Sequence, residues 1–227
     1  MQKFFSAILF LLLGLYSWSQ QLSQVRFSGV SALTSFAFMT DQGVLIRISP
    51  EGKVVEWGTE LQSMRSGNYY APKLQPFMGR VDYYGAESDS VTRGKVKSIG
   101  TCWLTYYSAF ETEKAGKIKT IGGHALDYYS LYENEASRGK LRLAGDLVIE
   151  YFPSYEDEPL RGKLKSIGST QLIYYSSFDE KYLKGKLKSI GPVVFKYYTI
   201  PDRKELWGTL KLPSDRQLIN GVTYILR

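Results

Sequence analysis

The chain has 227 residues, 44% of them hydrophobic, and 29 Lys and Arg against 22 Asp and Glu give a formal charge of +7. One cysteine, Cys102, excludes an intrachain disulfide, and one histidine, His124, leaves too few soft ligands for a Cys/His zinc centre. Length and apolar content suffice for one all-β domain with a core of its own, while the moderate positive charge favours acidic partners without specifying one.

The first element in chain order is a secretory signal peptide, expected over residues 1–19. Lys3 supplies its positive start, residues 4–18 are mostly apolar, and Ser17 and Ser19 are the small residues before cleavage ahead of Gln20. An apolar run of about 15 residues falls short of the roughly 20 that span a bilayer. No transmembrane segment is therefore expected after cleavage, and the protein is expected to be exported: periplasmic, on the cell surface or extracellular.

Residues 20–51 read as an N-terminal β-hairpin cap, with strands over 25–39 and 44–48 turning at Asp41-Gln42-Gly43. Residues 52–93 read as divergent repeats, in which GKVVEWG (52–58) and GRVDYYG (79–85) resemble the basic strand described next. Between them, residues 63–76 carry Gly67, Asn68, Pro72 and Pro76 and form either a long loop or a divergent repeat.

Residues 94–212 are a tandem array. GKVKSIG (94–100), GKIKTIG (116–122), GKLRLAG (139–145), GKLKSIG (162–168) and GKLKSIG (185–191) recur every 22 or 23 residues. Each is followed by an apolar-x-Tyr-aromatic segment and then an acidic loop. Two strands per unit follow, a basic one and an aromatic one, because Tyr and Phe interleaved with polar residues suit strands and no helical apolar stripe is present. Alternation puts Leu172, Tyr174, Ser176 and Phe178 on a core face, with Leu104, Tyr106, Ser108 and Phe110 as one of the equivalent sets. Residues 213–227, with Leu218, Val222, Tyr224 and Leu226, read as a C-terminal capping strand.

The charges choose the topology. Parallel coils would stack basic strand on basic strand and place like charges opposite each other, which destabilises a sheet. The expected fold is therefore all-β, tandem hairpins of about 23 residues in a twisted antiparallel meander sheet, either open and curled or closed. Leu164 and Ile167 have opposite parity in a regular strand, so either the basic strand is bulged near Ser166 or both of its faces are partly buried.

The G-K-L-K-S-I motif with its Tyr-rich second strand, over residues 94–212, resembles the YD repeats of RHS-type secreted bacterial proteins. Tyr-Tyr-Ser stands here where that family has Tyr-Asp. The period is also similar to that of MORN repeats, whose Y-x-G-x-W core this chain lacks, so no phosphoinositide ligand is implied. Both resemblances imply tandem β-hairpins.

No catalytic or metal-binding residues are assigned, and no cofactor is expected. Nothing adjacent in the sequence singles out His124 as a base, and after Gly122-Gly123 it reads as a solvated turn residue. Paired acids occur at Glu111 and Glu113, Glu133 and Glu135, Glu156 to Glu158, and Asp179 and Glu180. They recur in every loop, which argues against one catalytic pair. The candidate ligand site is a ladder with parity opposite to the core face: Tyr107, Tyr129, Phe152, Tyr175 and Tyr198, flanked by Lys97, Lys119, Arg142, Lys165 and Lys188. Such a face stacks on sugar rings or holds an acidic chain. The expected function is a secreted or surface-associated bacterial repeat protein, a non-catalytic binding or scaffold module for a protein or envelope glycan. No specific nucleic-acid partner is expected. The alternative is a polysaccharide-acting hydrolase using acids of one divergent loop.

Overall fold

The computed structural model describes residues 21–60 and 73–227; the expected signal peptide and most of the irregular stretch at 63–76 lie outside the described residues. The described residues begin with four strands, β1 (Leu22–Ser28), β2 (Ala32–Met39), β3 (Leu45–Ile48) and β4 (Val54–Gly58). The expected opening hairpin is thus three strands. Gly29 and Val30, both at φ 58°, make a tight turn inside the segment 25–39, and the turn at Asp41-Gln42-Gly43 joins β2 to β3. The array contributes β5 (Val81–Tyr83), β6 (Val96–Ile99), β7 (Cys102–Tyr106), β8 (Ile118–Ile121), β9 (His124–Tyr128), β10 (Leu141–Ala144), β11 (Leu147–Tyr151), β12 (Leu164–Ile167), β13 (Thr170–Tyr174), β14 (Leu187–Ile190) and β15 (Val193–Val194). A short pair, β16 (Lys196–Tyr197) and β17 (Leu210–Leu212), follows, and the final segment is a hairpin of β18 (Arg216–Ile219) and β19 (Val222–Leu226) rather than one strand.

Strands β5 to β15 form one eleven-stranded antiparallel sheet in sequence order, the expected meander. It is not closed: β5 and β15 are its two edges. Within each unit the basic strand pairs with the aromatic strand that follows through a two-residue turn, as in Ile167↔Thr170. Gly100, Gly122, Gly145, Gly168 and Gly191 open these turns at φ between 50° and 59°, the left-handed conformation such hairpins require.

Of the two readings the parity allowed, every basic strand of the array adopts the bulge. Glu150 faces Ser166 while Tyr151 faces Leu164, so Lys165 is an extra residue with no partner across the ladder. The same slip leaves out Lys97, Lys119, Arg142 and Lys188. One extra residue restores the parity, and Leu164 and Ile167 both turn inward and are buried.

GRVDYYG occupies a different place from the one its glycines suggest. Val81 pairs with Ile99 and Tyr83 with Val96, the register that Leu104 and Tyr106 hold against Ile121 and Ile118, so this segment is an aromatic strand. GKVVEWG, by contrast, is not part of the array sheet. Its strand β4 pairs with β3, at one edge of a six-stranded sheet ordered β18-β19-β1-β2-β3-β4. That sheet joins the two chain ends, because β19 lies parallel to β1.

The two sheets share one continuous core. Phe36, Phe38, Ile46 and Ile48 of the terminal sheet are buried in the same cluster as Ile118, Tyr128, Leu141 and Leu164 of the array. Turns of the terminal sheet clamp the array at both ends of its strands. On one side Ile118 N donates to Gly52 O at 3.0 Å, Leu141 N to Pro50 O at 2.7 Å, and Leu187 N to Val30 O at 3.0 Å. On the other, Thr101 bonds Asp41, and Asn220 Nδ2 donates to Thr170 Oγ1 at 2.8 Å. Gly52 fits because it has no side chain: a Cβ there would lie 2.3 Å from the Tyr128 hydroxyl.

The first aromatic of each unit is buried as expected, but the hydroxyls differ. Tyr106, Tyr128 and Tyr197 donate to the carbonyls of Val96, Ile118 and Leu187, whereas the buried hydroxyls of Tyr151 and Tyr174 have no hydrogen-bond partner among the described residues. Tyr128→Phe should therefore lose about 1 kcal/mol of stability, the worth of one such bond, while Tyr151→Phe should be neutral or stabilising. Urea denaturation of the two variants checks this, and equal losses would contradict it.

Candidate functional site

The aromatic strand does not stop at its buried tyrosine. Tyr107 N donates to Lys117 O at 2.9 Å and Gly116 N to Tyr107 O at 2.8 Å, with the same pair of bonds around Tyr129, Phe152 and Tyr175. The second aromatic is therefore held in the ladder, and its ring leans on the next unit. Edge-to-face contacts run Tyr84–Tyr106, Tyr107–Tyr128, Tyr129–Tyr151, Phe152–Tyr174 and Tyr175–Tyr197, with centroids 5.9 to 6.1 Å apart. The expected solvent-facing ladder is corrected accordingly. Tyr107 is buried, and Tyr129, Phe152, Tyr175 and Tyr198 are half-buried.

The structure does bring the candidate basic residues onto this ladder, because the bulge re-aims them. Lys119 sits 5.0 Å from the centre of the Tyr107 ring, Arg142 5.8 Å from Tyr129 and Lys188 5.4 Å from Tyr175. Lys97 lies over Tyr84 and Trp103, and Tyr198 is covered by Lys211. Lys165 instead approaches Glu150 at 4.0 Å. Several of these cations are also paired: Lys119 with Glu111, Arg142 with Glu133 and Lys211 with Asp202. The ladder is thus a lattice of cation–ring and ion pairs satisfied from within the chain.

A second basic row went unassigned in the sequence. The lysine after each leading glycine reaches forward one unit to a backbone carbonyl: Lys95 to Gly116, Lys117 to Gly139, Lys140 to Gly162 at 2.8 Å, and Lys186 to Gly208. Lys163 departs from the row and donates to Ser31 of the terminal sheet at 3.1 Å. Each also stands over the buried tyrosine of its own unit, as Lys140 does over Tyr151 at 4.9 Å. Burial lowers the pKa of all five ammonium groups.

The acidic loops have a common construction. Ser108–Glu111, Ser130–Glu133, Pro153–Glu156 and Ser176–Asp179 are four-residue turns, each closed by a backbone bond from the acid to the first residue. Glu111 and Asp179 also accept from the backbone N–H of Ser108 and Ser176. Neighbouring turns are stapled together. The N–H of the second turn residue donates to the preceding loop: Ala109 to Asp89 at 2.7 Å, Ser154 to Asn134 at 2.9 Å, and Ser177 to Asp157 at 2.6 Å.

The third turn residue is where the core-face expectation fails. Phe110, Tyr132, Tyr155 and Phe178 are 94%, 92%, 84% and 96% exposed. Alternation was extended past the strand end at Tyr106 and its equivalents, whereas the turn starts two residues later. The signal that marks the turn was available, since Ser-x-x-acid closes on itself through the acid and the serine N–H.

His124 opens β9 instead of lying in a turn; it is half-buried against Gly145, and burial lowers its pKa. Burial pushes the Cys102 thiol up to about 11. The loop acids go the other way. Bonds from the Ser108 backbone and Lys119 lower the pKa of Glu111, the Ala109 N–H lowers that of Asp89, the Ser177 backbone and hydroxyl that of Asp157, and the Ser176 hydroxyl and backbone that of Asp179. A cleft of about 560 Å³ opens beside the Pro50–Gly52 turn, but two of its lysines, Lys95 and Lys117, are committed to carbonyls. No family model, curated protein or solved structure matches the chain.

Two outcomes follow from this chemistry. Lys140→Ala should cost about 1.5–3 kcal/mol, as for a bond from a charged donor, while Lys165→Ala at an exposed ion pair should cost under about 1 kcal/mol. Chemical denaturation of both variants measures the difference. Carboxylates held below their unfolded pKa stabilise the fold fully above that value and lose their contribution as pH falls through the folded one. With reference values of 3.8 for Asp and 4.5 for Glu, these carboxylates should give the urea midpoint a constant contribution well above 4.5 that is lost as pH falls through and below those values. Half-buried His124, its pKa lowered, should add a separate rise as pH increases toward 6.5.

Proposed function

We propose that this protein is a non-catalytic binding or scaffold module of a bacterial cell envelope, secreted or surface-associated, which engages a protein or an envelope glycan along the length of its array. One observation carries the reading: four of the five regular units present a highly exposed aromatic at the same position of the same turn, the fifth having Pro201 there. Large apolar groups standing in water on a rigid frame are the ordinary mark of a contact surface. The repeat makes that surface extended and equivalent from unit to unit, which suits a long or repetitive partner and spreads affinity over several contacts. Two of the loop acids support the same reading. Glu111 accepts from the Ser108 N–H and Lys119, and Asp179 from the Ser176 N–H and hydroxyl, which favours their ionised form and suits them poorly to donating a proton. The satisfied Tyr107-to-Tyr198 lattice stiffens the sheet behind the turns.

The test is co-sedimentation of the purified protein with envelope fractions of the producing organism. The wild type should be retained, Tyr155→Ala should be retained less well, and the Phe110→Ala, Tyr132→Ala, Phe178→Ala triple variant should be lost to the supernatant with its thermal midpoint unchanged. Absence of wild-type retention, or hydrolysis of a glycan that disappears on altering a single acidic loop, would refute the module and favour a hydrolase.

A further inference from the structure

The exposed aromatics form a row whose spacing is set by the sheet. They follow successive aromatic strands, and one basic strand lies between each pair. Neighbouring strands are about 4.8 Å apart, so equivalent turns stand at about 9.6 Å, and the row from Phe110 to Phe178 covers about 29 Å. A β-1,4-linked hexopyranose chain flips each sugar relative to the last, so it offers the same C–H face once per disaccharide, close to this interval. An α-1,4-linked chain coils and does not.

The charge beside the row narrows the ligand further. Glu111, Glu133, Glu156 and Asp179 each directly follow an exposed ring. The pairing of Glu111 with Lys119 and of Glu133 with Arg142 leaves no free cation among the described residues beside those rings to attract an anionic polymer or lipid surface, while the carboxylate oxygens can still accept hydrogen bonds from sugar hydroxyls. The turns are held by backbone bonds within and between units, so ordering them on binding costs little. The right-handed sheet twist rotates successive rings by roughly 40–50°, which one flexible chain follows and a flat polysaccharide crystal does not.

We infer that Phe110, Tyr132, Tyr155 and Phe178 are a linear subsite row for a single neutral β-1,4-linked glycan chain, one disaccharide per repeat. This rests on the binding-module reading and gives it a ligand class.

The experiment is calorimetric titration of the full-length protein with β-1,4-linked N-acetylglucosamine and glucose oligomers of two to eight sugars. Maltooctaose and oligogalacturonate serve as the α-linked and anionic controls. Affinity should rise with each added disaccharide up to eight sugars, and neither control should bind. Tyr155→Ala should weaken octamer binding about tenfold, as expected for a lost stacking platform. Phe178→Trp should retain binding and change its fluorescence when the octamer is added. Equal affinity for the α-linked chain, affinity independent of length, or Tyr155→Ala binding as the wild type does would overturn the inference. Retention on envelopes without binding of either β-linked series, or retention abolished by protease treatment of the envelopes, would overturn the glycan while leaving the module standing. Failure of both envelope retention and sugar binding would remove both.

Discussion

One extra residue per repeat governs this structure. A regular strand cannot turn both Leu164 and Ile167 inward, and the bulge at Lys165, repeated at Lys97, Lys119, Arg142 and Lys188, lets it. The bulge fixes the register of every aromatic strand against its basic neighbours. It also lifts the second basic side chain out of the alternation, so that it can lie across an aromatic ring. The pairing of Lys119 with Tyr107 and Glu111 is therefore a consequence of backbone geometry.

Units are then linked by contacts that always reach forward. The leading lysine bonds a carbonyl one unit on, the second aromatic packs edge-to-face on the next buried tyrosine, and a loop side chain holds the next turn. Each link is worth about 1 to 3 kcal/mol, and repeated along the sheet they make it an almost one-dimensional lattice. Such a lattice has one apolar face to cover, and the array cannot cover its own. The six-stranded sheet does so, drawing Phe36, Phe38, Ile46 and Tyr224 into the common core. Where it meets the array the repeat gives way locally. Lys163 turns to Ser31, and the hydroxyls of Tyr151 and Tyr174 lose their carbonyls.

The same construction leaves one row of side chains unsatisfied by the chain itself. The rings of the Tyr107 ladder have cations or neighbouring rings against them, whereas Phe110, Tyr132, Tyr155 and Phe178 stand in solvent on bonded turns. A stiff sheet with rigid turns at strand-pair intervals holds these rings at fixed separations. That is the property a repetitive polymer can read.

The sequence alone determined the all-β class, the meander and the parity conflict inside seven residues, because these follow from local rules: a period of 22 or 23 residues, like charges that cannot face each other, and alternation; the structure decided that a bulge resolves the conflict. The sequence also determined which tyrosine of each pair is buried deeply, Tyr107 excepted, since that depends on strand alternation alone. The point where alternation stops is marked in the sequence only by the Ser-x-x-acid pattern, and the tertiary structure closed the turn there and moved Phe110, Tyr132, Tyr155 and Phe178 from the core to the surface. Only the tertiary structure assigned GRVDYYG as an aromatic strand, because glycines punctuate both kinds of segment while cross-strand register distinguishes them. The joining of β19 to β1 was likewise invisible, since pairing between residues almost 200 positions apart is set by which surface remains to be covered after the local structure has formed.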